Sequence, residues 1–261
     1  MSESGARKMI LPSKYVQGPG VIGQLGAHVK QHGGRPFAVG SKTGVAKVKA
    51  RVQASLLAAG VPLVGYDDSV SECTKAKIAE VAAKAEELDA DVIIGCGGGK
   101  SVDTAKAVSE RLSVPVICIP TQCATNADQM ADAVIFTEDH RFLEDLYLSQ
   151  APSLVLVDTD VVARAPAKYL VQGMGDALAC RFEKNAYATS QRAKRAQDQA
   201  TSAALEVNNR CFEVLMANGV QAKKDVEQGK VTDAGEAVVE ASKLMSGCGF
   251  GGGGCAAAHA V

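Results

Sequence analysis

The chain contains no tryptophan, and aromatic residues make up only 4% of its 261 positions. That scarcity disfavours a stacking platform for single-stranded nucleic acid, which needs exposed rings. Excess charge of either sign is missing too: Lys and Arg number 28, Asp and Glu 29, for a net charge of −1. Without a positive surplus, neither a phosphate backbone nor an anionic lipid surface is an expected partner. No apolar run approaches the ~20 residues that a membrane helix needs. Met1–Lys8 carries charges with no apolar stretch behind them, so it does not read as a secretory signal. The eight cysteines form no C-x-x-C pair. That pattern suits reduced thiols and a cytoplasmic protein, with Cys96 and Cys118 as core residues in strand-like runs.

What is present is globular: 47% apolar and 22% charged residues, too apolar for disorder. The first half alternates strand and helix. Arg35–Gly40 reads as a strand. Val45, Val48, Val52 and Leu56 then recur at helical spacing up to Gly60. Val61–Tyr66 reads as the next strand. Thr74 is a candidate cap for a helix carrying Ile78, Val81, Ala82, Ala85 and Leu88. Asp91–Gly95, Ser101–Leu112 and Val114–Ile119 continue as strand, helix and strand. Such an order implies a parallel sheet with helices on both faces. Its ligands bind beyond the carboxyl ends of the strands, so the loops at 40–44, 65–72, 95–100 and 120–128 face one crevice. Ala133–Thr137 and Ser153–Val157 read as further strands. Residues 160–246 lack strand-length β-branched runs and read as helices. The expected organisation is α/β: a parallel-sheet nucleotide-binding domain over 1–161, then an incomplete all-α domain over 162–261.

Gly95-Cys96-Gly97-Gly98-Gly99-Lys100-Ser101 lies between a strand and a helix. Glycines let backbone approach a phosphate, and a helix N-terminus offers free N–H groups and a positive dipole end. A tight turn needs one glycine; three in a row point to a diphosphate. The common motifs fail, since a P-loop would need Gly at Ile94 and a Rossmann fingerprint would need Gly at Lys100.

Gly97-Gly98-Gly99-Lys100-Ser101-Val102-Asp103 resembles the G-G-G-K-x-x-D signature of glycerol dehydrogenases, within the iron/zinc alcohol dehydrogenase superfamily. Tyr15–Gly20, Ser71–Thr74, Pro120–Ala127, Gly173–Leu178 and Gly249–Ala260 resemble further family segments in the same order. The resemblance implies a nucleotide-binding α/β domain, a helical domain and a site in the cleft between them. It implies oxidation of glycerol to dihydroxyacetone, with hydride passed to NAD. Zinc would polarise the alcohol and favour an alkoxide. By the same resemblance, Asp176 and His259 are metal ligands, and Asn126 and Phe250 are catalytic positions. Ser41, Gly97, Gly98, Gly99, Lys100, Ser101, Asp103, Thr121, Ala124, Thr125 and Phe136 would then bind cofactor. A small polyol is the expected substrate and a homo-oligomer the expected assembly.

The chain also departs from the family pattern. The family's third ligand, a downstream His, has no counterpart before Val261. The substrate-binding Asp is Asn126, the Pro of the same motif is Asp128, and a Glu-Ser-containing run is Gly251–Gly254. The ribose-binding acid is Ser41, followed by Lys42, which tolerates NADP beside NAD. These features predict weak zinc binding and slow or absent turnover in the 261-residue chain. They keep open a second class: a non-catalytic nucleotide-binding relative or subunit.

Overall fold

The computed structural model describes residues 6–189 and 198–251. The chain divides into two compact units. One holds Pro12–Gln122 and Ala131–Ala165, the other the described residues of Met1–Leu11, Cys123–Met130 and Pro166–Val261.

The first unit is built on a six-stranded, wholly parallel sheet. In chain order, after a two-residue β1 (Ala6–Arg7) that belongs to the other unit, come β2 (Tyr15–Gly18), α1 (Leu25–Val29), β3 (Pro36–Gly40), α2 (Lys42–Ala58) and β4 (Gly65–Asp67). Then follow α3 (Lys75–Glu87), β5 (Val92–Gly97), α4 (Gly99–Leu112), β6 (Val116–Pro120), β7 (Asp132–Phe136), β8 (Phe142–Tyr147), β9 (Leu154–Asp158) and α5 (Thr159–Ala163). Strand order across the sheet is β2-β9-β6-β5-β3-β4. Every residue of β3, β5, β6 and β9 is buried, as expected where helices cover both faces.

Local chemistry explains the helices. Ser41 caps α2 by accepting the Gly44 N–H at 3.1 Å, and Val45, Val48, Val52 and Leu56 join one apolar core with Ala38, Ile94, Cys96 and Ile117. Gly60, at φ +72°, ends that helix-and-turn segment. Thr74 caps α3 through the Lys77 N–H at 3.2 Å.

Two expectations shift. The strand anticipated at Val61–Tyr66 forms later, over Gly65–Asp67 at the sheet edge, where contact with β3 begins as the Val64 N–H donates to the Pro36 carbonyl at 2.9 Å. Residues 142–147, not anticipated as a strand, form an antiparallel hairpin with β7. Most β8 residues are exposed, so no apolar run betrays it.

The second unit is helical: α6 (Ala167–Thr189), α7 (Ser202–Glu227), α8 (Asp233–Glu240) and α9 (Ser246–Gly251). A π-helical turn, Ala241–Met245, joins the last two. Among its described residues, β1 pairs with β10 (Asp198–Gln199) in parallel. Among the described residues, no helix is long and apolar enough to cross a membrane.

Candidate active site

Within the sheet unit, the connection after β3 leads to β4 on one side, while the connection after β5 leads to β6 on the other. Adjacent strands whose connections diverge leave a crevice at their carboxyl ends, where open α/β sheets bind ligands. Ser41 follows β3 and Gly97 closes β5, so both stand at that point.

Hydrogen bonds join the loops there. The Ser41 N–H donates to Ser101 Oγ at 3.0 Å, and the Thr121 N–H donates to the Gly97 carbonyl at 3.0 Å. Gly97 has φ +153°, a conformation that L side chains rarely adopt, and a Cβ there would stand 2.5 Å from Ser101 Oγ. Gly98 is the N-cap of α4 and offers no side-chain cap. The Ser101 and Val102 N–H groups donate to the Gly98 carbonyl at 3.0 and 3.1 Å, while no side chain caps the N–H groups before them in the first turn of α4. This arrangement fits a diphosphate: glycine backbone, an uncapped helix start, and three hydroxyl-bearing neighbours.

Lys100 Nζ is held by Glu72 Oε2 at 2.7 Å, and the same oxygen meets His140 Nδ1 at 2.8 Å. Burial would raise the Glu72 carboxyl. The Lys100 and His140 contacts and the Cys73 N–H instead hold it below its ordinary value. Asp103, in the same motif, is 6% exposed. It pairs with Lys106 Nζ at 3.0 Å and accepts the Val134 N–H at 3.4 Å. Burial alone would lower the Lys106 ammonium, but Asp103 and Asp132 hold it above its ordinary value. Phe136 is tied through its N–H to the Cys73 carbonyl at 2.8 Å.

In the helical unit, Asp176 on α6 accepts the Asn126 N–H at 3.3 Å. The Asn126 amide donates to Ser246 Oγ at 2.6 Å and lies 3.9 Å from Cys180 Sγ. Thr125 Oγ1 accepts the Ala127 N–H at 3.2 Å, and the Thr125 carbonyl accepts from Lys243 Nζ at 2.6 Å. Cys123 and Cys180 feel the charge of Asp176, and burial pushes both thiols up to about 11. Phe250 accepts from Lys184 Nζ through its carbonyl at 2.9 Å. Ala124 lies in the same Cys123–Met130 segment. His259 falls outside the described residues. Among those described, no group of three or more His, Cys, Asp or Glu side chains is arranged to hold a metal ion.

The structure thus gathers Ser41, Gly97, Gly98, Lys100, Ser101 and Thr121 in one unit, and Thr125, Asn126 and Asp176 in the other. Lys106 and Lys243 were not singled out in the sequence, and Glu72, within the Ser71–Thr74 segment, and His140 were given no role there. For Lys243 the signal was a lysine set among Val238, Val239, Leu244 and Met245, with Glu240 one turn before it.

A family model described as iron-containing alcohol dehydrogenase matches residues 12–159. A curated glycerol dehydrogenase of Escherichia coli O6:H1 is 40% identical over 250 residues, covering 96% of this chain and 68% of that protein. One of Thermotoga maritima is 38% identical over 262 residues, covering 97% and 68%. A solved structure of a probable glycerol dehydrogenase from Sinorhizobium meliloti 1021 is 34% identical with TM-score 0.88, covering 97% of this chain and 69% of that one.

Proposed function

The chain belongs to the iron-containing alcohol dehydrogenase family, a family of oxidoreductases, and from that premise we propose that it exchanges hydride between NAD and a secondary hydroxyl of a small polyol, glycerol being the first candidate. The observation that carries the reading is the switch-point crevice, where Gly97 at φ +153° and the uncapped start of α4 meet Ser41, Ser101 and Thr121.

When bound, NAD supplies the hydride acceptor and zinc supplies Lewis-acid polarisation of the alcohol oxygen. The chain's own residues do the rest. Backbone at Gly97–Gly99 and the first-turn N–H groups of α4 hold the diphosphate. Lys100 adds positive charge nearby, with its ammonium fixed by Glu72. Ser41 and Lys42 flank the ribose position, which leaves room for NADP. Thr121 and Phe136 complete the cofactor seat of the sheet unit, and Asp103 stiffens it through Lys106. In the helical unit, Asp176 would be a metal ligand, with His259 supplying a second. Asn126 hydrogen-bonds the substrate hydroxyl without contributing charge, and Phe250 lines the substrate.

A second reading, nucleotide binding without turnover, is favoured by one observation: the Asn126 amide is committed to Ser246 Oγ. Calorimetric titration of NAD, followed by steady-state assays with glycerol and with dihydroxyacetone, separates the two. NAD binding with metal-dependent turnover supports the dehydrogenase. NAD binding without turnover in either direction supports the second reading, and absence of NAD binding refutes both.

A further inference from the structure

A buried ion pair flanks Asn126, whose N–H donates to Asp176, and lies outside the residues assigned so far. Lys243, on the π-helical turn, is 2% exposed and Asp128 is 1% exposed. Lys243 Nζ stands 3.1 Å from Asp128 Oδ1 and donates to the Thr125 carbonyl at 2.6 Å. It therefore grips the chain on both sides of Asn126. Three residues further on, Ser246 accepts from the Asn126 amide at 2.6 Å. The N–H held between these grips donates to Asp176 at 3.3 Å. The approach is close: a Cβ on Gly247 would collide with Gln129 Cβ. A π-helical turn carries an extra residue, which changes the face that following side chains present, and such turns recur at functional sites.

We propose that the Asp128–Lys243 pair is a positioning device that clamps residues 125–128 so that Asn126 presents its N–H to Asp176. The inference rests on the reading of Asp176 as a metal ligand. Asp128 stands where the family pattern has proline, so the carboxylate needs its own counter-charge when buried. Lys243 supplies that charge and its second hydrogen bond goes to the backbone. A neutral residue at 243 would leave Asp128 uncompensated and release Thr125 together. Lys243 and Asp128 touch neither metal nor substrate in this scheme; they act through Asn126.

The test measures Zn2+ dissociation constants by competition with a zinc-chelating dye on the full chain. Variants are Asp128→Asn, Lys243→Met, Lys243→Arg, the double variant Asp128→Asn/Lys243→Met, and Asp176→Ala as reference. Hydrogen exchange of residues 123–130 is followed in parallel. The proposal expects Asp128→Asn to weaken Zn2+ by tenfold or more and to speed exchange at 123–130. It expects Lys243→Arg to remain within threefold of the parent. If Lys243→Met fails to fold, the charge-neutral double variant takes its place and should also lose tenfold in Zn2+. Parental Zn2+ affinity in Asp128→Asn and the double variant, with affinity lost in Asp176→Ala, overturns this inference alone. No loss in Asp176→Ala, or no Zn2+ binding by the parent, overturns the metal-ligand reading and the inference with it.

Discussion

Replacing Gly97 by alanine tests the crevice where structure and chemistry meet. The backbone there has φ +153°, and an alanine Cβ would meet Ser101 Oγ at 2.5 Å and Ser101 Cβ at 2.6 Å. Holding a residue with a side chain in that region costs about 1–3 kcal/mol. Displacing Ser101 breaks the bond it accepts from the Ser41 N–H, worth about 0.5–1.5 kcal/mol. Gly97→Ala should therefore lose about 2–4 kcal/mol of stability and bind NAD at least tenfold more weakly, a difference of about 1.4 kcal/mol. Gly98→Val provides the contrast. Gly98 has φ −89° and ψ −170°, extended backbone that valine adopts readily. A Cβ there meets only the amide end of Gln122, which can swing aside. This variant should keep its stability to within about 1 kcal/mol and still lose tenfold or more in NAD affinity. Urea denaturation and calorimetric titration read the two quantities separately. A parental urea midpoint in Gly97→Ala would refute the strain argument. A folded Gly98→Val with parental NAD affinity would refute the placement of the diphosphate.

Ser41→Asp keeps a capping oxygen for Gly44, so stability should hold to within about 0.5 kcal/mol, while preference for NAD over NADP rises at least tenfold. An unchanged preference would place Ser41 away from the ribose. Lys106→Met strands Asp103 and Asp132 beside a buried methyl group and should cost about 3–5 kcal/mol in chemical denaturation; Asp103→Asn added to it should recover part of that loss. Glu72 titrates below its ordinary 4.5 in the folded chain, so the folded state binds fewer protons than the unfolded state in that window. Its contribution is present above 4.5 and is lost as pH falls through the folded value. Glu72→Gln should therefore remove about 1 kcal/mol at neutral pH, discounted because Lys100 and His140 are over half exposed. It should also flatten the acid-side fall in stability, whereas denaturation midpoints at pH 7 and pH 3 that both match the parent would refute the Glu72 contacts.

Lys100 shows why part of the site was legible in the residues and part was not. Its place between Gly99 and Ser101 marks it as a phosphate neighbour from the local pattern alone. Its actual partner, Glu72, is 28 positions away, and His140, the third member, sits in a turn at φ +63°. Asp103 likewise reads as a motif residue, yet its carboxylate is buried against Lys106 one helical turn on. A helix start can be read from glycines, whereas the face on which a side chain finds its charge partner cannot.

By itself, the sequence determined what depends on neighbours in the chain. Period-3.6 apolar spacing specified α2 and α3, Ser41 and Thr74 started them, continuous apolar runs marked β3, β5 and β6, and the glycine run marked the start of α4. The ordered motifs identified the family that the comparisons support. Only the tertiary structure decided what depends on distant segments meeting. It set the order β5-β3-β4, which opens the crevice between Ser41 and Gly97. It brought Asn126 against Asp176, and it buried Lys243 against Asp128 across 115 positions. Local conformation follows from sterics and hydrogen bonds within a few residues. Long-range pairing follows from which apolar faces bury together, and a buried charge then has to find its counter-charge wherever that packing leaves it.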